Sequence, residues 1–196
     1  MKIFYKLYRK TQTMIKKHIL LALIVAYSSQ SYATIINAET FKNLDYKSAV
    51  TTAHTLYKNN EGIMIKVLPD RIVATFSDGK SSSVAIPKDQ FFLSIAPYIN
   101  SSHPCTNHVL TGCTGEIINQ TMKVVMIDTD TGETLIDKKM TTQRDGFIDF
   151  WVPKDKNLAF NIYYEAKDGS KRVAREVLST FNNDRTCITT MKLIES

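Results

Sequence analysis

The fold is decided by an eight-residue stretch near the end of the chain, Leu158-Ala159-Phe160-Asn161-Ile162-Tyr163-Tyr164-Glu165. Large apolar side chains occupy every second position, and the asparagine and the glutamate lie between them. Because successive side chains of a β-strand point to opposite faces of its sheet, this alternation predicts a strand with one buried and one exposed face. We therefore expect this strand to cover an apolar core.

Five further runs with β-strand character surround this stretch in the second half of the chain. They are separated by turns such as Asp145-Gly146 and Asp168-Gly169, and they span residues 121–127, 134–141, 147–152, 172–178 and 188–193. Regular spacing of short strands with glycine-containing turns is typical of antiparallel sandwiches and barrels. We predict an antiparallel β-sandwich over residues 121–196.

The first half of the chain has a different pattern. Apolar side chains recur at helical steps at Val50, Ala53 and Tyr57, and Asp45 precedes them as a candidate N-cap. This spacing predicts a helix of about a dozen residues, in which His54 is a partly buried histidine beside the apolar stripe. Four short β-like runs follow the helix, at residues 63–68, 71–76, 81–86 and 91–98.

Taken together, these patterns predict an α+β protein. A short N-terminal helical region with a small β-sheet occupies residues 34–98, and the antiparallel β-sandwich follows it. Residues 99–120 form the loop between them, and this loop contains cysteine and histidine side chains. A chain of this length after the N-terminal segment fits one domain with a real core.

The excess positive charge of the chain is concentrated at its N-terminus. Of 25 Lys and Arg residues, six lie within residues 1–33, which contain no Asp or Glu, and the other 19 are matched by 19 acidic residues. A nucleic-acid partner requires a basic surface that neutralises phosphate charge. The neutral remainder of the chain therefore argues against nucleic acid as a partner.

The N-terminal segment has the pattern of a secretory signal peptide. A nine-residue apolar run at residues 19–27 follows the basic stretch, and small side chains occupy Ser31 and Ala33. This order of features is that of a signal peptide with its cleavage site. The apolar run reaches only about half of the roughly 20 residues that a helix needs to cross a bilayer. We expect a signal peptide over residues 1–33, cleavage after Ala33, and a soluble exported product with no stable membrane anchor.

The exported part contains three cysteines, Cys105, Cys113 and Cys187, and two histidines, His103 and His108, that flank the first of them. Three cysteines cannot all be paired within one chain. Thiolates select Cu(I), Zn(II) or iron–sulfur clusters, and three sulfurs suit a trigonal Cu(I) site. Zinc requires a fourth ligand, which either histidine can supply, but the C-x7-C spacing is not that of a zinc finger. A copper site requires the late cysteine to fold back onto the other two.

A second interpretation involves no metal. A disulfide between Cys105 and Cys113 would stabilise the fold by roughly 2 to 3 kcal/mol on the loop-entropy estimate and leave Cys187 as a small apolar core residue. The two interpretations are compatible, because a site that holds Cu(I) when reduced can close into a disulfide when oxidised.

Three functions fit these residues. The first is a Cu(I)-binding module, which is not an enzyme in the turnover sense. The second is a thiol redox protein that reduces Cu(II) or exchanges disulfides through Cys105 and Cys113. The third is a secreted β-sandwich binding module with a structural disulfide. The chain has neither a G-x-S-x-G nor an H-E-x-x-H motif, so a serine hydrolase or a zincin has no support.

The sequence also resembles a known family. Three stretches carry the resemblance: Phe91-Phe92-Leu93-Ser94-Ile95-Ala96-Pro97-Tyr98, the run His103-x-Cys105-x2-His108-x4-Cys113 followed by Gly115-Glu116, and Thr186-Cys187-Ile188-Thr189-Thr190. They are similar to the periplasmic copper-binding CueP family, and the similarity extends over most of the exported chain. These motifs are specific to the family, because a set of three cysteines and two histidines among groups of strands rarely arises by chance.

The resemblance implies a function and a set of ligands. It implies a periplasmic protein that binds Cu(I) through Cys105, Cys113 and Cys187. Our first hypothesis adds His103 and His108 as secondary ligands or as donors around the sulfurs. The implied role is copper resistance, or that of a copper chaperone for exported cuproenzymes such as Cu,Zn superoxide dismutase.

Overall fold

The structure is a computed structural model that describes residues 36–58 and 62–196. The predicted signal peptide lies outside the described residues. Two helices open the described part, α1 (Ala38–Phe41) and α2 (Tyr46–Thr55). Asp45 caps α2 as predicted, because its side chain accepts hydrogen bonds from the first-turn amides of Lys47 and Ser48. No helix within these two ranges is long and apolar enough to cross a bilayer.

Eleven strands follow in the described part of the chain. They are β1 (Met64–Val67), β2 (Arg71–Thr75), β3 (Ser81–Ala85), β4 (Gln90–Ile95), β5 (Thr121–Asp128), β6 (Thr134–Thr141), β7 (Ile148–Pro153), β8 (Asn157–Glu165), β9 (Lys171–Ser179), β10 (Cys187–Ile188) and β11 (Ile194–Glu195). They form three sheets, in the orders β1-β2-β3, β10-β4-β7 and β11-β9-β8-β5-β6.

The first sheet is an antiparallel meander that packs against the two helices. Ala49, Val50 and Ala53 of α2 are buried against strand residues such as Ile65 and Ile72. The helical spacing of the small apolar residues thus produces the contact face that the sequence predicts. This helix-and-sheet layer covers one side of the central sheet through Phe92 and Trp151.

The other face of the central sheet forms the main core with the five-stranded sheet. Phe91, Leu93 and Ile95 of β4 point into this core, together with Leu158 and Phe160 of β8. The alternation that defines β8 in the sequence therefore matches its buried face. The architecture confirms the predicted α+β fold, in which a small N-terminal sheet precedes the face-to-face packing of the larger sheets.

Two features of the strand pairing differ from the sequence prediction. Strand β4 pairs with β7 from the second half of the chain, so a strand of the first predicted set lies in the central sheet. The predicted strand at residues 188–193 does not form, and two short strands lie at the two ends of this range instead. Strand β10 lies parallel to β4, and β11 lies antiparallel to β9. The strand is interrupted because the chain crosses from the central sheet to the five-stranded sheet between β10 and β11.

Candidate metal centre

The end of the central sheet brings the cysteines together. Cys187 begins β10 and is paired in register with Ser94 of β4. The carbonyl of Thr106 accepts hydrogen bonds from the amides of Thr186, at 3.0 Å, and of Cys187, at 3.2 Å. The loop after Cys105 is therefore attached directly to the strand that carries the late cysteine. Ala96, Phe147 and Cys187 form a small buried cluster, against which Cys105 and Cys113 pack.

The sulfurs of Cys105 and Cys187 are bonded, and the Cα atoms of these residues are 5.5 Å apart. The predicted alternative, a Cys105–Cys113 disulfide, is therefore wrong for this structure. The physical reason is the pairing of β10 with β4, which places Cys187 beside the loop. Cys113 has a free thiol, and its sulfur lies only 3.8 Å from that of Cys105. The three sulfurs thus converge as the sequence analysis requires.

His108 completes this cluster from inside the protein. Its side chain is fully buried, its Nδ1 lies 3.5 Å from Cys187 Sγ, and its ring packs on Phe147 with centroids 4.3 Å apart. Its amide donates to the hydroxyl of Thr186, and its carbonyl accepts from the amide of Val67 in β1. These backbone contacts fix the imidazole beside the sulfurs. Its Nε2 is buried and has no hydrogen-bond partner among the described residues.

One candidate ligand atom from each of Cys105, His108, Cys113 and Cys187 lies within 4.8 Å of the others. Cys187 and His108 are buried, whereas Cys105 and Cys113 are half-buried. The cluster therefore has a closed inner side and a partly open outer side. Sulfur and imidazole are the donors of soft and borderline metal ions, and Nδ1 is the His108 ring nitrogen that lies beside a sulfur, at 3.5 Å from Cys187 Sγ. The residues present fit a copper ion.

His103 lies outside this group of four. Its carbonyl accepts a hydrogen bond from the Thr189 hydroxyl at 2.6 Å. The residue lines an open cavity of about 480 Å³ that also contains Cys105 and Arg185. The loop thus keeps His103 at the outer side of the cluster, and its role as a ligand stays a prediction.

Burial changes the protonation of two members of the cluster. It lowers the pKa of His108 to about 4, against the opposing effect of the Asp149 carboxylate. The imidazole is therefore neutral at neutral pH and has a lone pair available for a metal. Burial also raises the pKa of the Cys113 thiol, and the charge of Asp145 acts in the same direction. A metal must displace the proton of this thiol to bind it.

A second polar group lies beside the cluster, and the sequence did not reveal it. His54 of α2 contacts Asp149 of β7, with 2.7 Å between Nε2 and Oδ2. The hydroxyl of Ser94 donates to the other oxygen of the same carboxylate at 2.6 Å. The sequence correctly placed His54 as a partly buried helix residue, but its partner Asp149 lies 95 positions away along the chain. No spacing within a single helix or strand indicates such a contact.

The fold and the cluster define a β-rich protein in which three cysteines and a buried histidine lie together. The comparisons with known proteins give the family. The model of the family described as "Periplasmic copper-binding protein CueP" matches residues 42–192, so the chain belongs to the CueP family. The predicted resemblance and the periplasmic location are confirmed.

A solved structure supports the same conclusion. The crystal structure of S.CueP has a TM-score of 0.69 and 25% sequence identity, and the match covers 80% of this chain and 92% of that chain. The comparison with curated proteins yields no match.

Proposed function

We propose that this protein sequesters Cu(I) in the periplasm through the thiolates of Cys105, Cys113 and Cys187. His108 is the fourth donor, and His103 is a secondary ligand at the outer side. The observation that supports this proposal most directly is the convergence of four candidate ligand atoms within 4.8 Å of one another. Copper is the cargo of the site rather than a resident cofactor.

The donor set favours Cu(I) over other ions. Three thiolates satisfy the preference of Cu(I) for soft ligands in a trigonal arrangement. His108 is neutral above pH values of about 4 and adds a nitrogen donor without adding charge. Zn(II) is the main competitor, because sulfur and imidazole donors also suit a tetrahedral zinc site. A direct metal competition is therefore part of the test below.

The disulfide links metal binding to the redox state. In the bridged state only the Cys113 sulfur is available as a thiolate, because the other two sulfurs are bonded to each other. Opening the bridge takes two electrons and two protons and gives three thiols. The reduced protein is therefore the form that binds Cu(I), and the metal displaces the thiol protons as it binds.

The exposure of the donors suits transfer of the metal. Cys105 and Cys113 are half-buried, whereas Cys187 and His108 are buried. A partner can therefore approach the outer sulfurs and exchange ligands with the bound ion. This arrangement supports a role in copper tolerance, or in supply of copper to an exported cuproenzyme such as Cu,Zn superoxide dismutase.

A competition titration of the fully reduced protein against a Cu(I) chelator tests the proposal. Cys187→Ser should lower the affinity by at least about a hundredfold, because it removes one of three soft ligands. Met191→Leu is the matched control, since Met191 is a buried core residue close to Cys187 in sequence. Wild-type affinity in Cys187→Ser would reject the three-sulfur site, and a preference for Zn(II) over Cu(I) would reject copper as the cargo.

A thiol redox function is the second candidate, and the short distance between the Cys113 and Cys105 sulfurs favours it. The Cys113 thiolate can attack Cys105 Sγ, form a Cys105–Cys113 bond and release Cys187 as a thiolate that takes up a proton. In the reduced protein, oxidation of two thiols to one disulfide releases two electrons and reduces two Cu(II) ions to Cu(I). Cu(II) reduction that continues unchanged after alkylation of all thiols would reject this candidate.

The third candidate, a binding module with only a structural disulfide, predicts a different outcome. Such a protein takes up no copper after reduction and keeps a single intramolecular bridge when oxidised. Mass spectrometry of the reduced and the oxidised protein distinguishes it from the first two.

A further inference from the structure

A cluster of charged side chains lies behind the metal centre and has no part in the proposed copper site. His54 is at the end of α2, Arg144 and Asp145 are in the turn before β7, and Asp149 is on β7. Their charges balance when His54 is protonated. The side chains of Asp145 and Asp149 are only 1% and 13% exposed, so neither carboxylate is well solvated. Buried carboxylates require a compensating positive charge or hydrogen bonds.

His54 lies between the two carboxylates. Its Nε2 is 2.7 Å from Asp149 Oδ2, and its Nδ1 is 3.7 Å from Asp145 Oδ2. An imidazole donates from both nitrogens only when it is protonated. Asp145 Oδ2 is buried and has no hydrogen-bond partner among the described residues, so the charge of His54 is its nearest compensation. The geometry therefore favours a cationic His54.

The same turn and the same helix end hold the Cys113 segment, residues 111–115. On one side, the amide of Gly115 donates to the carbonyl of Asp145 at 2.6 Å. On the other side, the hydroxyls of Tyr57 and Thr114 are 2.8 Å apart. The amide of Lys58 also donates to the carbonyl of Thr111 at 3.3 Å. The segment that carries the free thiol is thus attached to these two elements, and also to β1, where the amide of Ile65 donates to the hydroxyl of Thr111 at 3.1 Å.

Those two elements are in turn attached to each other. The guanidinium of Arg144 donates to the backbone carbonyls of His54 and Tyr57. It also lies over the Tyr57 ring, 5.3 Å from the centroid. Together with the contacts of His54 to both carboxylates, these bonds join the helix end to the turn. The helix end, the turn and the Cys113 segment therefore form a closed ring of contacts.

We propose that His54 is a positioning residue that, through Asp145 and Asp149, keeps the Cys113 segment against the other two sulfurs. The charged groups that face His54 are these two carboxylates and Arg144. When His54 is neutral, it can still hydrogen-bond to Asp149, but it loses its ionic attraction to both carboxylates, and the junction of helix and turn is weaker. The Cys113 segment, which is bonded to both the helix end and the turn, is then held less firmly. The inference concerns the site of the proposed function, but its test does not require copper.

The test measures the alkylation rate of Cys113 by iodoacetamide in the oxidised protein, where it is the free thiol. At about pH 6, where His54 is protonated, His54→Gln should react about tenfold faster than wild type, as expected for loss of one charge-assisted hydrogen bond. Loss of a positive charge by itself disfavours the thiolate and slows alkylation. A faster reaction therefore reports a freed segment.

The pH dependence separates positioning by charge from loss of packing. Above the pKa of His54, the wild-type imidazole is neutral like the glutamine, so the ratio of the two rates should approach one. Tyr57→Phe removes the hydrogen bond to Thr114 and should give a ratio above one that is the same at every pH. Lys47→Gln, an exposed change near the start of α2, should give a ratio of one. A His54→Gln ratio of one at pH 6, or a ratio that does not change with pH, would overturn the proposal.

If His54→Gln does not fold, a measurement on the wild-type protein tests the proposal instead. The His54 pKa is determined by NMR, and the thiolate fraction of Cys113 by ultraviolet absorbance. The alkylation rate per thiolate should rise as pH passes through the His54 pKa. A rate per thiolate that stays constant across this range would contradict the positioning role. These results do not depend on copper. A protein that failed to bind copper could still show them, so failure of the copper proposal and failure of the His54 proposal can be told apart.

Discussion

Cys187 lies 82 residues after Cys105 in the chain, yet their sulfurs are bonded and their Cα atoms are 5.5 Å apart. The parallel pairing of β10 with β4 and the attachment of Thr106 to the start of β10 produce this proximity. The bond ties the loop before the sandwich to the last part of the chain. The same contact that places a third sulfur in the metal centre thus also crosslinks the fold.

Reduction of this disulfide should lower the stability of the apoprotein. A loop of this length corresponds to a loss of up to about 4.5 kcal/mol in the free energy of unfolding, on the loop-entropy estimate. Denaturant unfolding with and without a reductant measures the difference. Cys113→Ser keeps the bridge and is the control. Equal stability of the oxidised and reduced forms would mean that the bridge is not formed in solution.

Replacement of His108 should separate copper binding from stability. His108→Leu removes a nitrogen donor and should lower Cu(I) affinity by about tenfold or more, as expected for a lost ligand. The oxidised protein should keep its stability, because the variant also removes a buried Nε2 that has no hydrogen-bond partner among the described residues. His103→Gln is the comparison at the outer side of the cluster. An unchanged affinity in His108→Leu would exclude this imidazole as a ligand.

Stability should depend on pH through His54. Burial lowers its pKa, but the hydrogen bond to Asp149 and the charges of both carboxylates outweigh burial and raise the pKa above its ordinary value. Because the folded pKa is raised, this contribution is complete below about pH 6.5 and is lost as pH rises through the folded value. Unfolding measured from pH 6 upward should show this decline in the wild type and a much smaller one in His54→Gln.

Asp149 should make the stability of the protein depend on pH on the acid side. Burial raises its pKa, but the hydrogen bond to His54, the charges of His108 and His54, and the bond from Ser94 lower it below the ordinary value. Its contribution is therefore present above about pH 4 and is lost as pH falls through the lower folded value. Asp149→Asn should remove that loss on the acid side. A variant with the wild-type acid profile would show that Asp149 does not control it.

A close backbone contact should make Gly115 intolerant of any side chain. A Cβ at this position would lie 2.7 Å from the carbonyl oxygen of Gly146 and 3.0 Å from the Cβ of Ala96. We expect Gly115→Ala to cost about 1 to 3 kcal/mol and to raise the alkylation rate of Cys113. Gly112→Ala is the matched control in the same segment, because its Cβ would meet only Val109 at an ordinary 3.5 Å. Equal effects of the two substitutions would contradict the tight contact.

Patterns between residues that are close in the sequence predict much of the secondary structure. Alternation in β8 and the cap at Asp45 are local signals, and the structure matches both. The pairing of β4 with β7 and the parallel position of β10 are long-range choices. They depend on which apolar faces fit together, and a one-dimensional pattern contains no such information. The small N-terminal sheet was therefore predictable as a set of strands, but the central sheet was not.

The candidate site divides in the same way. The residue types and the odd number of cysteines left open whether Cys187 returns to Cys105 and Cys113, and the family resemblance favoured the copper hypothesis, which requires this return. They could not decide which two sulfurs form the bond, because any pairing satisfies the count. The contact of His54 with Asp149 had no sequence signal, since the helix and the strand that carry them meet only in the folded core.

Native mass spectrometry after anaerobic loading with Cu(I) tests the central claim most directly. The reduced wild-type protein should take up one copper ion per chain, and the oxidised protein should take up none, because two of its three sulfurs are bonded to each other. Cys187→Ser should lose the ion under conditions in which Met191→Leu retains it. Full copper uptake by the oxidised protein, or by Cys187→Ser, would contradict a site built from three sulfurs.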